Sequence, residues 1–301
     1  MLHVLFLDTT MLLRTRDGHM TRVLIVSRRP WIRPVNGPRT VAIEGTTTDS
    51  GKLGVVSVST RAVTTAALAA LVAAASYVQP RPLPLVAAVV VLVVLVALGW
   101  PSLLRLPAPG STRVVVALCG VGGAAVTYFT PGEPVLRHLP TVLAGAVVLA
   151  FIAQMLRRDG RPQLTESVSG TVAGVVAAIA TAGWIAAARS DAGAALVVTS
   201  AVALAVAAAV SALPVRGWVA LGVSAVAAVL VGGAAGTVLP DIDTVSGLWC
   251  GLVAGIVVGA LHLLLERLPV RGARLAGLSA AALPVAVCGV FVFVVGRMVI
   301  L

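Results

Sequence analysis

From Arg61 onward the chain alternates long apolar stretches with short polar connections. With the Asp, Glu, Lys and Arg positions as dividers, the uncharged stretches run over 62–80, 82–104, 114–132, 139–156, 167–188, 192–215, 217–240, 244–265 and 275–296. A helix rising about 1.5 Å per residue needs roughly 17 to 25 residues to cross about 30 Å of hydrocarbon. The pattern therefore predicts nine transmembrane helices. The runs are continuously apolar and do not alternate over about ten residues, which favours helices over the strands of a membrane barrel. Turn chemistry fills the connections, as at Gln79-Pro80-Arg81-Pro82, Pro107-Ala108-Pro109-Gly110, Asp159-Gly160 and Pro240-Asp241. The expected fold is all-α: a polytopic membrane bundle over 61–301, preceded by a basic and mostly disordered tail over 1–60. "LHVLFL" near the start is too short for a signal-peptide core and has no basic region before it.

Basic residues fall in alternate connections. One set of loops carries Arg105 and Arg113, then Arg157, Arg158 and Arg161, then Arg216, then Arg267, Arg271 and Arg274; the other carries single arginines at 81, 137, 189 and 297. By the positive-inside rule the N-terminus is expected in the cytoplasm and the C-terminus outside a bacterial plasma membrane.

Composition sharpens this picture. Of 301 residues 59% are hydrophobic and 11% charged, and the mean hydropathy is +1.05. Soluble domains are about half apolar and about a quarter charged. The net charge of +11 is read as orientation and contact with anionic lipids and not as nucleic-acid binding. Cys119, Cys250 and Cys288 lie singly inside apolar runs, so neither a disulfide framework nor a metal site is expected, and no cofactor is implied.

Two nucleotide-like motifs fail. "GTTTDSGKLG" from Gly45 puts Leu53 where a phosphate loop needs Ser or Thr, and "GVGGAA" from Gly120 lies inside a predicted membrane helix. The glycine spacing of the eighth run is more specific. Gly247, Gly251, Gly255 and Gly259 recur every four residues on one helical stripe, with lesser stripes at Gly170 and Gly174 and at Gly232 and Gly236. Lipid gives helices no hydrophobic drive to associate, so small residues that allow close backbone approach do that work. The stripes suit packing within the bundle, a gating seam, or a contact with a second copy or a larger membrane complex.

Ionisable residues inside a bilayer normally mark pathways. The nine runs contain one, His262, with Glu266 one turn on as an i, i+4 partner. Asp241 and Asp243 are candidates for an outer-face cation contact; the competing reading is a helix start, with Asp243 or Thr244 as the cap of the eighth helix, whose N-terminal dipole favours negative charge. In "QMLRRDGRPQLTESVSG", Arg157, Arg158 and Arg161 beside a helix start, with Glu166, are candidates for contact with a lipid phosphate; the competing reading is a turn at Asp159-Gly160, a cap at Thr165 and arginines that fix topology.

"FIAQMLRRDGRPQLTESVSGTVAGVV", followed by "GW", resembles a stretch of polytopic membrane proteins of high-GC Gram-positive bacteria, over about 35 residues. That resemblance implies a membrane bundle and carries no activity. The lysines, aspartates and His-Gly-Gly that mark phosphatidate cytidylyltransferases are absent from the C-terminal segment. The leading expectation is a non-enzymatic permease-like or channel-like protein for a neutral or amphiphilic solute. The alternatives are an enzyme or flippase acting on a phosphate-bearing envelope lipid, and a packing subunit of a larger complex.

Overall fold

The computed structural model describes residues 5–7, 10–14, 20–23, 58–78, 83–157, 163–190, 192–213, 217–267 and 274–299. The chain divides into two compact units, Met1–Asp49 and Ser50–Leu301. In the first, β1 (Leu5–Leu7), β2 (Thr10–Arg14) and β3 (Met20–Val23) form an antiparallel sheet in the order β1-β2-β3, with Leu5 opposite Leu12 and Met11 opposite Val23. This is local order in a stretch whose sequence shows no sustained periodicity; most of the expected tail lies outside the described residues.

The second unit is all-α among its described residues. Its helices are α1 (Val58–Ser76), α2 (Leu83–Leu104), α3 (Pro109–Phe129), α4 (Leu139–Met155), α5 (Leu164–Ala180), α6 (Ala182–Ala188), α7 (Gly193–Val210), α8 (Trp218–Val238), α9 (Thr244–Arg267) and α10 (Arg274–Val299). Seven spans are long and apolar enough to cross a bilayer, with α5 and α6 counted as one, Leu164–Ala188. Two more apolar helices, Thr60–Ser76 and Leu139–Met155, are shorter; at 17 residues α4 reaches about 26 Å, the low end of what a span requires. The protein is an integral membrane protein built as a helical bundle.

The fifth span is cut at Thr181. There the ladder tightens to three-residue steps, Thr181 N–H to Ala178 O at 3.3 Å and Trp184 N–H to Thr181 O at 3.1 Å, and the Thr181 hydroxyl also donates to Ala178 O at 2.6 Å. A threonine that bonds back to its own helix offers the backbone an alternative to the regular ladder. Residue 183 follows immediately, and a Cβ there would overlap the backbone of Gly289 on α10. The cut thus sits where α6 presses hardest on its neighbour.

Burial orders the bundle. Over the 18-residue apolar stretch of each, 72% of the Leu164–Ala188 span and 67% of α10 are buried, against 33% of α8. The centre is therefore α5, α6 and α10 with α2 and α7, while α8 and α9 pair as a hairpin at the margin. Side chains stitch the centre through carbonyls: Trp100 Nε1 donates to Gly170 O and Trp184 Nε1 to Val285 O, both at 2.8 Å, and Thr112 meets Thr171 at 3.1 Å. In hydrocarbon an indole N–H has no water to turn to, so a carbonyl on a facing helix is its natural partner.

The glycine stripes are filled within the chain. A Cβ on Gly247 would overlap the carbonyl of Gly232, one on Gly251 that of Ala228, and one on Gly255 would lie 2.6 Å from the Ala225 Cα; Gly259 faces Leu221. Gly236 abuts Asp243 and Thr244, Gly170 receives Leu106, and Gly174 lies under the Trp100 ring. The most extensive helix contact among the described residues, between α8 and α9, is made by Gly232, Gly236 and the stripe from Gly247 to Gly259.

Candidate functional site

The polar side chains that converge best are on α1, on α9 and in the turn after α7, against an apolar face of α10, at the end of the bundle that carries the arginine-rich connections. A cleft of about 40 Å³ is lined there by Arg61, Thr65, Ser211, His262, Ala280 and Pro284, with apolar walls. Four chain segments build it. α1 brings Arg61 and Thr65 onto one face by their i, i+4 spacing. The turn after α7 places Ser211, α9 places His262 one turn before its end, and α10 contributes the floor.

That floor is shaped by Pro284. Proline has no N–H, so it cannot pair with the Ala280 carbonyl one turn earlier, and its ring crowds that carbonyl. Next to it, Ala281 O accepts the Thr65 hydroxyl at 2.8 Å, a buried bond that pins α1 against α10; the same hydroxyl lies 2.9 Å from Arg61 O. Ser211 Oγ donates to Ala208 O at 2.7 Å. Pro284 stands about 15 Å into α10 from Arg274, so the cleft reaches from the arginine-rich end to about the mid-depth of a bilayer.

Arg61 is half-buried, and its guanidinium has no hydrogen bond or ion pair among the described residues. The other arginines whose side chains are described from α1 onward behave differently, apart from the exposed Arg274. Arg113 Nε donates to Leu98 O at 3.1 Å, Arg137 Nε to His138 Nε2 at 3.1 Å, and Arg157 to Gln154 Oε1 at 2.9 Å. Arg189 donates to Thr127 O and Thr130 O, both at 2.8 Å, and Arg297 lies 3.3 Å from Glu133 Oε2. Arg105 also has a partner.

The residues singled out from sequence distribute as follows. His262 enters the cleft and is half-buried, with partners of its own; its pairing with the Glu266 side chain lies outside the described residues. Arg157 turns back onto α4 through the buried Gln154, and Glu166 is exposed in the first turn of α5. Arg158 and Arg161 lie outside the described residues. Thr165 is not the cap: α5 starts one residue earlier, after Gln163 in the left-handed region at φ 54°, without a side-chain cap bond. Asp243 does cap α9. Its Oδ1 accepts Ser246 N–H at 3.2 Å and the Ser246 hydroxyl, and these bonds, the hydroxyl first, hold its carboxyl below the usual carboxylate range. Asp241 is exposed. Among the described residues no three His, Cys, Asp or Glu side chains gather as a metal would need.

Sequence reasoning used Arg61 only as a divider and passed over Thr65 and Ser211. The signal was present in part: an arginine followed one turn later by a threonine, at the head of an alanine-rich helix.

Fold and cleft together define a polytopic α-helical integral membrane protein with a polar recess open at one end. Comparisons with family models, with curated proteins and with solved structures find no match.

Proposed function

We propose that the protein is a permease-like or channel-like protein of a bacterial plasma membrane, with its N-terminus cytoplasmic and its C-terminus outside, passing a neutral or amphiphilic solute. The observation that carries this reading is the cleft floored by Ala280 and Pro284, which gathers polar side chains from three segments at the arginine-rich end and runs inward to a proline in α10. A proline that interrupts a central helix beside a cavity is a feature that transport pathways use, since freed backbone groups are tolerated at that depth only where they face protein or water. The arginine-rich loops support the orientation and a contact with anionic lipids. The resemblance around Gln154 to Gly170 supports a place among the polytopic membrane proteins of high-GC Gram-positive bacteria.

Cysteine labelling tests this reading. Ala280→Cys at the floor and Ser211→Cys at the mouth are treated with a membrane-impermeant maleimide in inverted vesicles and in intact cells, with the wild-type protein as the blank, its cysteines at 119, 250 and 288 being buried. A solute path requires both variants to label from the cytoplasmic side and Ala280→Cys to become reachable from outside as well. If Ala280→Cys never labels from outside, the cleft is a dead end and the permease reading falls.

A further inference from the structure

The geometry points to an oxyanion-binding site in the cleft, anchored by Arg61, for a phosphate or carboxylate group that carries a hydroxyl beside it. This deepens the solute-path reading and rests on it, because it names the head of the amphiphile that enters the cleft.

The argument begins with Arg61. A half-buried guanidinium offers five N–H donors in a planar fork suited to two oxygens of one acid group. Arg61 stands in the first turn of α1 and lines the cleft, and among the described residues nothing in the chain pairs with its guanidinium. None of the acidic side chains among the described residues is a rival. Glu133, Asp241 and Asp243 belong to connections at the opposite end of the bundle, and Glu166 is exposed at the start of α5, a helix that contributes nothing to the cleft.

The hydroxyls add a second requirement. Thr65 and Ser211 each spend their single proton on a main-chain carbonyl, so what they present to the cleft is lone pairs. They accept and do not donate. A bare oxyanion would find two repulsive oxygens there, whereas an acid group with an adjoining O–H satisfies both Arg61 and the hydroxyl oxygens. The volume fits one such group: about 40 Å³ holds roughly three waters, the oxygens of a single phosphate or carboxylate head and not of a whole sugar. A protonated phosphate monoester and a glycerol-bearing phosphate headgroup both meet this description, one free and one lipid-borne.

The test uses the full chain in phosphatidylcholine nanodiscs, with and without added phosphatidylglycerol, and inorganic phosphate as the free probe. Native mass spectrometry reads retained phosphatidylglycerol, and titration calorimetry reads phosphate. Wild-type protein retaining one phosphatidylglycerol that phosphate does not displace identifies a lipid head; phosphate binding that added phosphatidylglycerol does not weaken identifies a free oxyanion. In either case Arg61→Gln is expected to weaken binding by about ten-fold or more, the loss of a charged hydrogen-bonded contact, and Arg61→Lys to recover part of it. Neither probe binding, or Arg61→Gln binding as tightly as wild type while still running as a monodisperse particle, overturns the inference. The labelling of Ala280→Cys is independent of this: labelling from both faces without oxyanion binding removes the inference and keeps the solute path, and binding without labelling from outside does the reverse.

Discussion

The indole N–H of Trp184 donates to the carbonyl of Val285 at 2.8 Å, tying α6 to α10 one residue past Pro284. The same pair of helices touches backbone to backbone at Gly183 and Gly289. A proline in α10 removes a ladder bond, and the Thr181 turn tightens the facing span, so two irregular helices meet at the depth of the cleft floor. What keeps the junction in one arrangement is a side-chain donor on one helix and glycines on both.

Replacing Trp184 by Phe keeps most of the ring volume and removes the donor. The expected cost is about 1–3 kcal/mol of stability, read as an earlier thermal unfolding midpoint in detergent. Gly183→Ala is expected to be worse, since its Cβ meets the Gly289 backbone and no rotamer relieves it. An unchanged midpoint for Gly183→Ala would show that the α6 and α10 junction is looser than its geometry implies.

The α8 and α9 hairpin gives a matched comparison. A side chain at Gly251 runs into the Ala228 carbonyl, while one at the exposed Gly222 meets nothing within 4 Å. Gly251→Leu should therefore lose at least ~1–3 kcal/mol through overpacking and lower the yield of folded protein, and Gly222→Leu should express as wild type. Fluorescence-detected size exclusion reads both. If Gly251→Leu instead gave a well-folded monomer that had lost only a larger assembly, the stripe would serve a partner and not the hairpin.

The membrane spans were legible because hydrocarbon sets a length and excludes charge, and the charged residues of this chain lie almost wholly outside the runs. The cut at Thr181 was not, since threonine and glycine leave hydropathy unbroken; it arises from contact with α10, more than a hundred residues later in the chain. Asp243 was legible as a cap, because an acidic residue just ahead of an apolar run stands where the helix dipole favours negative charge. Arg61 was hidden by the same rule that found the spans: a charge at the edge of a run reads as a boundary. Its meaning depends on Thr65 meeting Ala281, a pairing 216 residues apart in sequence, which no local pattern carries.

At the opposite end of the bundle, Arg189 closes α3. Its guanidinium donates to the carbonyls of Thr127 and Thr130, groups that the end of a helix leaves without partners. Arg189→Met should destabilise by about 1.5–3 kcal/mol at most, because carbonyls at a membrane edge also reach water. Arg189→Lys should recover part of that, as one ammonium cannot span both oxygens in the fixed fork of the guanidinium. Equal thermal midpoints for all three proteins would show that the cap is redundant.

Asp243 supplies a prediction in pH. Its carboxylate is stabilised in the folded protein by the Ser246 hydroxyl and amide, so its folded pKa lies below its ordinary value of 3.8. A group shifted in that direction contributes stability above the unfolded value and loses it as pH falls through the folded one. At neutral pH the contribution is fully present; below about 4 it fades as the proton returns and the cap weakens. Asp243→Asn still caps a helix but does not titrate, so its stability at neutral pH should fall only slightly, by the helix-dipole share that a charge adds. Its decline on acidification should be shallower than that of the wild type. Thermal unfolding of both proteins between neutral pH and about pH 3 checks this, and parallel acid profiles would mean that the Asp243 carboxylate carries no protonation-linked stability at the head of α9.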